Sequence, residues 1–194
     1  MHGLGNDFIV FEAPSGAALP SSEQFRRLAA RHTGVGFDQA LVIEPARRPG
    51  TAAFYRIFNA DGGEVEQCGN GARCVAALLR LRGRAQAGDI TMDSPGGLVR
   101  ARILDDGLVS VDMGVPDFRP AALPFTAGAE ADEYELDVAG EPVRFGAVSM
   151  GNPHAVIVVP AVATANVATL GAALERHVAF PRRVNVGFME VAAP

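Results

Sequence analysis

Gln67-Cys68-Gly69-Asn70-Gly71-Ala72-Arg73-Cys74 runs without a break into Val75-Ala76-Ala77-Leu78-Leu79-Arg80-Leu81. Residues 75–81 predict a helix that is apolar almost all round, which fits a helix enclosed by protein rather than one lying on a surface. Ahead of it, Gly69-Asn70-Gly71 lets the backbone turn and approach a ligand, and the first-turn amides of a helix have no intrahelical partners. That geometry favours an anion, either a bound carboxylate or the thiolate of Cys68 itself. A small buried residue is the commoner fate of cysteine. That reading holds for Cys74, on the apolar helix, whereas the flanking glycines mark Cys68 as a reactive thiol.

Working outward, short strands surround this segment. Upstream, the turn Gly3-Leu4-Gly5-Asn6-Asp7 leads into a strand at 8–11, and Ser21 and Gln24 stand at capping-box spacing before a helix carrying Phe25, Leu28 and Ala29. Thr33-Gly34-Val35-Gly36 ends that helix, and strands are expected at 40–43 and 53–58. Downstream, strands are expected near 90–92, 98–104 and 108–113, the last two joined by the hairpin signal Asp105-Asp106-Gly107. Gly114-Val115-Pro116-Asp117-Phe118-Arg119-Pro120 reads as a linker, which divides the chain into domains 1–116 and 117–194. The second domain predicts strands at 134–138, 143–149 and 155–159, a helix near 169–177 and a last strand at 184–191. A weak echo crosses the boundary. Gly5-Asn6 before a strand is matched by Gly151-Asn152, and Arg56-Ile57-Phe58-Asn59 by Arg183-Val184-Asn185.

Composition narrows the chemistry. All 17 basic residues are arginine, so neither a pyridoxal-phosphate Schiff base nor a P-loop lysine is available. A net charge of −5 argues against a nucleic-acid partner. No apolar run approaches the roughly 18–20 residues of a membrane span. The start of the sequence is not that of a signal peptide, and the two cysteines make no secreted disulfide framework, so a cytoplasmic location is expected. Their spacing fits no usual zinc motif, and no metal is expected. Asp61, Glu64 and Glu66 read as solvated charge at the helix entry. Of four histidines only His154, beside Gly151-Asn152-Pro153, has a glycine–asparagine context. Asn6, Asn59, Asn70, Asn152 and Asn185 each lie at a turn. Singly they are explained by turn chemistry; with one activated thiol they suggest a neutral pocket, rich in donors and acceptors, for a zwitterion.

These residues resemble the diaminopimelate epimerase family. The carriers are Met1-His2-Gly3-Leu4-Gly5-Asn6-Asp7-Phe8, Gly36-Phe37-Asp38-Gln39, Phe58-Asn59-Ala60-Asp61-Gly62 and the Gln67–Cys74 block, then Met150-Gly151-Asn152-Pro153-His154-Ala155 and Arg183-Val184-Asn185-Val186-Gly187-Phe188. The resemblance implies an α+β fold of two similar domains, each an antiparallel sheet wrapped around a central helix, with the active site in the cleft between them. It implies a PLP-independent isomerase without cofactor that interconverts LL- and meso-diaminopimelate, on the lysine and peptidoglycan pathway, by two-thiol proton exchange. Cys68 would be one thiol. Gly69 and Asn70 would hold the reacting carboxylate, and Asn59, Asn152 and Asn185 the distal end of the substrate. Asn6 and Gln39 would line the pocket, with His154 near the thiols. A homodimer is the implied assembly.

This sequence departs from the family pattern in lacking a Glu-Arg segment and a second cysteine-glycine-threonine-glycine turn after residues 184–191. The second domain is therefore expected to be incomplete, without its own central helix or the opposing thiol. Two alternatives stand beside an epimerase: a related cofactor-independent racemase acting on histidine or proline, and a non-catalytic ligand-binding remnant.

Overall fold

A computed structural model describes residues 1–65 and 67–192; Glu66, one of the acidic residues singled out above, lies outside the described residues. The chain forms two compact units, Met1–Met113 and Gly114–Pro194. The backbone of Asp117 exchanges hydrogen bonds with Ser149, at 2.9 and 2.8 Å, as an isolated bridge in the second unit.

In the first unit the chain runs β1 (His2–Gly3), β2 (Asn6–Glu12), α1 (Ser22–Ala29), β3 (Gln39–Glu44), β4 (Phe54–Asn59), β5 (Glu64–Val65), α2 (Gly69–Leu81), β6 (Gly88–Ser94), β7 (Gly97–Ile103) and β8 (Val109–Val111). The sheet order is β1-β2-β3-β4-β6-β7-β8, with β5 on β4. Most neighbours in this sheet are antiparallel, as the resemblance implied, and two pairs, β2–β3 and β4–β6, are parallel. Parallel neighbours need a crossover, and a helix supplies it in both cases, α1 between β2 and β3 and α2 between β4 and β6.

The two helices cover opposite faces of the sheet, as β3 shows. Successive strand residues point to opposite faces. Leu41 and Ile43 join the core built with Tyr55, Ile57, Val75, Leu79 and Met92, whereas Ala40 and Val42 join Phe25, Ala29 and Phe58 under α1. A strand buried on both sides reads as a continuous apolar run, which is how Ala40–Ile43 appears in the sequence. The capping box forms: Ser21 Oγ accepts from the Gln24 amide and Gln24 Oε1 from the Ser21 amide.

The second unit contains β9 (Tyr134–Val138), β10 (Glu141–Ser149), β11 (Pro153–Val158), α3 (Ala172–Glu175) and β12 (Asn185–Met189), in the sheet order β12-β11-β10-β9. This sheet too is mixed, with β11 and β12 parallel. Its core takes alternate residues, Val143, Phe145 and Ala147 of β10 and Ala155 and Ile157 of β11, with Phe125 stacked on Phe180 at 4.5 Å. The expected helix over 169–177 is instead a π-turn at Val167–Gly171 followed by the single turn of α3. Gly171 faces β12, where a Cβ would be in ordinary contact with the Phe188 ring at 3.4 Å. Among the described residues this unit has no counterpart of α2.

Candidate active site

The helix α2 begins at Gly69, and its N-cap is Cys68, in an extended conformation. The Cys68 Sγ accepts the Gly71 amide at 3.4 Å, and the Cys68 carbonyl accepts the Ala72 amide at 2.9 Å. That carbonyl is the first intrahelical acceptor, so the Gly69 and Asn70 amides have none within the helix. Sulfur thus shares one end of the helix with two amides that have no acceptor inside it, where the helix dipole favours negative charge. Gly71 is tightly packed, since a Cβ there would stand 3.0 Å from Leu41 Cδ2 and the Leu41 side chain would have to give way.

The two thiols differ in environment. Cys68 is half-buried, while Cys74, further along α2, is buried in the core facing the sheet. Burial pushes the Cys74 thiol above the usual cysteine range. Tyr55, fully buried in the same core, carries a hydroxyl with no hydrogen-bond partner among the described residues. Burial, with a smaller contribution from charge at Cys68, pushes that hydroxyl up as well.

Strand pairing brings the first unit's remaining candidates to this helix end. The backbone of Gly3 lies against the first turn, where a Cβ would meet Asn70 Cβ at 3.3 Å, and Gly3 pairs with Asn6. Phe8, two residues on, pairs with Gln39, which in turn pairs with Asn59. Gln39 Nε2 donates to Asn59 Oδ1 at 2.9 Å, and Gln39 Oε1 is left as a buried acceptor with no partner among the described residues. Asn70 Oδ1 accepts from Arg73. Pairing thus sets Gln39 and Asn59 side by side next to Phe8, and Asn6 beside Gly3, which packs on the Asn70 turn of α2.

Asn152, His154 and Asn185 cluster separately, in the second unit. His154 pairs with Asn185 across β11 and β12, its Nε2 lies 2.9 Å from Asn152 Oδ1, and Asn185 Nδ2 donates to the Pro153 carbonyl at 3.0 Å. Burial lowers the His154 pKa, which favours the neutral imidazole.

Asp38 and Arg31 were given no role by the sequence reading. The Asp38 carboxylate accepts the Asp7 amide at 2.8 Å and Asn6 Nδ2 at 3.4 Å, while Arg31 binds Asp38 at 2.8 Å and Asp7 at 2.9 Å. The Asp7 amide, Arg31 and Asn6 together hold the Asp38 carboxyl below the usual carboxylate range. The signal lay in the pairing of β2 with β3, which sets Asp7 beside Asp38.

Comparison with solved structures shows a fold shared with racemases, epimerases and phenazine-biosynthesis proteins. A hydroxyproline epimerase from Agrobacterium vitis, with bound trans-4-hydroxy-L-proline, superposes with a TM-score of 0.56 at 18% identity, covering 90% of this chain and 52% of that one. A probable proline racemase from Agrobacterium radiobacter K84 gives 0.53 at 19% identity, covering 85% and 51%. The chain thus spans about half the length of these structures. Sequence comparison is more specific. Residues 1–119 and 146–194 match the diaminopimelate epimerase family. The diaminopimelate epimerases of Alkalilimnicola ehrlichii and Aromatoleum aromaticum are each 53% identical to this chain, covering 100% and 98% of it and 70% and 69% of their own lengths. The chain belongs to the diaminopimelate epimerase family, an isomerase class, and is shorter than these relatives.

Proposed function

We propose that this chain binds diaminopimelate at the N-terminus of α2 and exchanges an α-proton of that substrate through Cys68, the half-reaction of epimerisation. The observation that carries this reading is the Cys68 sulfur at the helix N-cap beside the Gly69 and Asn70 amides, which have no acceptor within the helix. In the proposed step the thiolate takes the α-hydrogen as a proton, and the C–H electron pair delocalises into the substrate carboxylate. The two amides then donate to the oxygens on which negative charge develops. Return of a proton by the same thiol restores the starting configuration, whereas inversion needs a donor on the opposite face. Cys74, buried in the core, is not that donor. Asn6, Gln39 and Asn59 would line the pocket, Asn152 and Asn185 would bind the distal amino-acid end, and neutral His154 would stand near the site. On this reading the protein works on the lysine and peptidoglycan pathway, in the cytoplasm, as a homodimer and without a cofactor.

The fold likeness to the proline racemase and hydroxyproline epimerase supports a second reading, racemisation of another amino acid. Incubating the 194-residue chain in deuterated water with LL-diaminopimelate, histidine or proline separates the two. The expected result is deuterium at an α-carbon of diaminopimelate alone, lost in Cys68→Ala, with no sustained conversion to the meso form. Exchange into proline or histidine instead would favour the racemase. Absence of exchange, with substrate affinity intact in Cys68→Ala, would leave a binding protein.

A further inference from the structure

We infer that Asp38 is a positioning residue that sets which end of the Asn6 amide faces a ligand, and that Arg31 holds Asp38 in place for that task. The inference rests on the reading of Asn6 as a pocket residue. An asparagine amide has an acceptor end and a donor end of nearly equal shape, so its orientation is decided by its fixed neighbours. An ionised carboxylate only accepts. Because Asp38 Oδ2 faces Asn6 at 3.4 Å, Asn6 must turn its NH2 to it, leaving Oδ1 as the acceptor for a donor such as the ammonium group of an amino acid.

Each part of the device has a traceable origin in the chain. The same Asp38 oxygen takes the Asp7 amide at 2.8 Å, and the Asp38 amide donates to the Asp7 carbonyl at 3.0 Å. This reciprocal pair ties the start of β2 to the start of β3, one residue before Phe8 pairs with Gln39. The other Asp38 oxygen is taken by Arg31, whose second nitrogen reaches Asp7. Arg31 arrives there from the turn after α1, and the turn is tight: a Cβ at Gly36, which has a φ of +81°, would stand 3.2 Å from Arg31 Cα. Arg31, Asp7 and Asp38 are all about half-exposed, so their ion pairs add little to stability. What the network supplies is a single orientation for a side chain that otherwise has two. One pocket residue, Gln39, follows Asp38 directly in the chain, so the same clamp fixes its starting point.

The test combines calorimetric titration of LL-diaminopimelate with the NMR signals of the Asn6 side-chain NH2. Asp38→Ala and Asp38→Asn are expected to weaken binding by roughly tenfold and somewhat less, the scale of one misdirected hydrogen bond. Both should move the Asn6 NH2 signals while leaving the rate of Cys68 alkylation unchanged. Arg31→Met should weaken binding less than either. Loss of affinity in Asn6→Ala with full affinity in Asp38→Ala would overturn the role of Asp38 alone. Unchanged Asn6 signals in Asp38→Asn, with affinity falling only in step with a lowered melting temperature, would likewise reduce Asp38 to a structural residue. Full affinity in Asn6→Ala, or no binding by the unaltered chain, would overturn the underlying reading together with the inference.

Discussion

The two units use one strand arrangement twice and finish it differently. In the first, Asn6 opens a strand whose third residue, Phe8, pairs in parallel with Gln39. In the second, Asn152 precedes a strand in which His154, again two residues on, pairs in parallel with Asn185. Gln39 and Asn185 therefore occupy matching positions, and both are amides. The first unit then adds α2, which covers one face of its sheet and presents Cys68 at its start; α1 covers the other face. In the second unit the described residues bury Val143, Phe145 and Ala147 on one side of β10, while Val158 of β11 and Met189 of β12 stay largely exposed. Strand pairing is enough to build an amide cradle. The thiol needs a buried helix to hold its N-cap at the sheet end.

Four measurements probe the difference between the two units. The largest effect is expected at the helix start. Cys68→Ala should cut α-proton exchange by about 10²–10⁴-fold, the usual contribution of a positioned base, whereas Cys74→Ala should leave it within about twofold and register in thermal melting instead. Comparable losses of exchange in both variants would erase the distinction between the two thiols. Next, Leu79→Ala on the covered face should cost roughly 2–5 kcal/mol of first-unit stability, while Val158→Ala in the second unit should change stability by no more than about 0.5 kcal/mol. Denaturant titration reads both. A large loss from Val158→Ala would mean that its face of the second sheet is packed. Smaller still, Ser21→Ala removes one half of the α1 capping box and should cost about 1 kcal/mol, with circular dichroism showing the fold retained.

The smallest effect concerns His154. Burial lowers its pKa below the usual 6.5, so below about pH 6.5 the unfolded chain takes up a proton that the folded second unit resists. Stability of that unit should fall gently as pH drops from 7 through 6.5 and level off below the lowered folded value. His154→Gln should remove this slope, measurable by amide exchange at strands β10 and β11. An unchanged slope would assign the titration to another group.

Much of this arrangement was legible in the residues. The apolar run Val75–Leu81 announced a core helix, of which Val75, Ala76 and Leu79 are buried while Leu81 is exposed; Gly69-Asn70-Gly71 announced its start, and Ser21 with Gln24 marked α1. What escaped depended on pairing between distant segments. The apolar run of β3 marks burial on both faces, but it does not say that its β2 neighbour is parallel and its β4 neighbour antiparallel, which is settled by how distant segments pair. The echo drawn between Arg56–Asn59 and Arg183–Asn185 joined strands that are not equivalent in topology: β12, like β3, runs parallel to the strand that follows its Gly-Asn turn, whereas β4 does not. Asp38 was visible only as part of a motif, because its partners Asn6, Asp7 and Arg31 lie well before it in the chain and meet it only once β2 and β3 are side by side. The two-residue strands β1 and β5 exist through their partners rather than through pattern.

Cys68, on this reading, is the acting thiol and Cys74 a core residue. Brief alkylation of the folded chain with iodoacetamide at pH 7, followed by peptide mass mapping, tests this directly. The predicted result is modification of Cys68 alone, slowed by added diaminopimelate, with Cys74 labelled only after unfolding. Equal labelling of both cysteines in the folded chain, or labelling of Cys74 first, would contradict it.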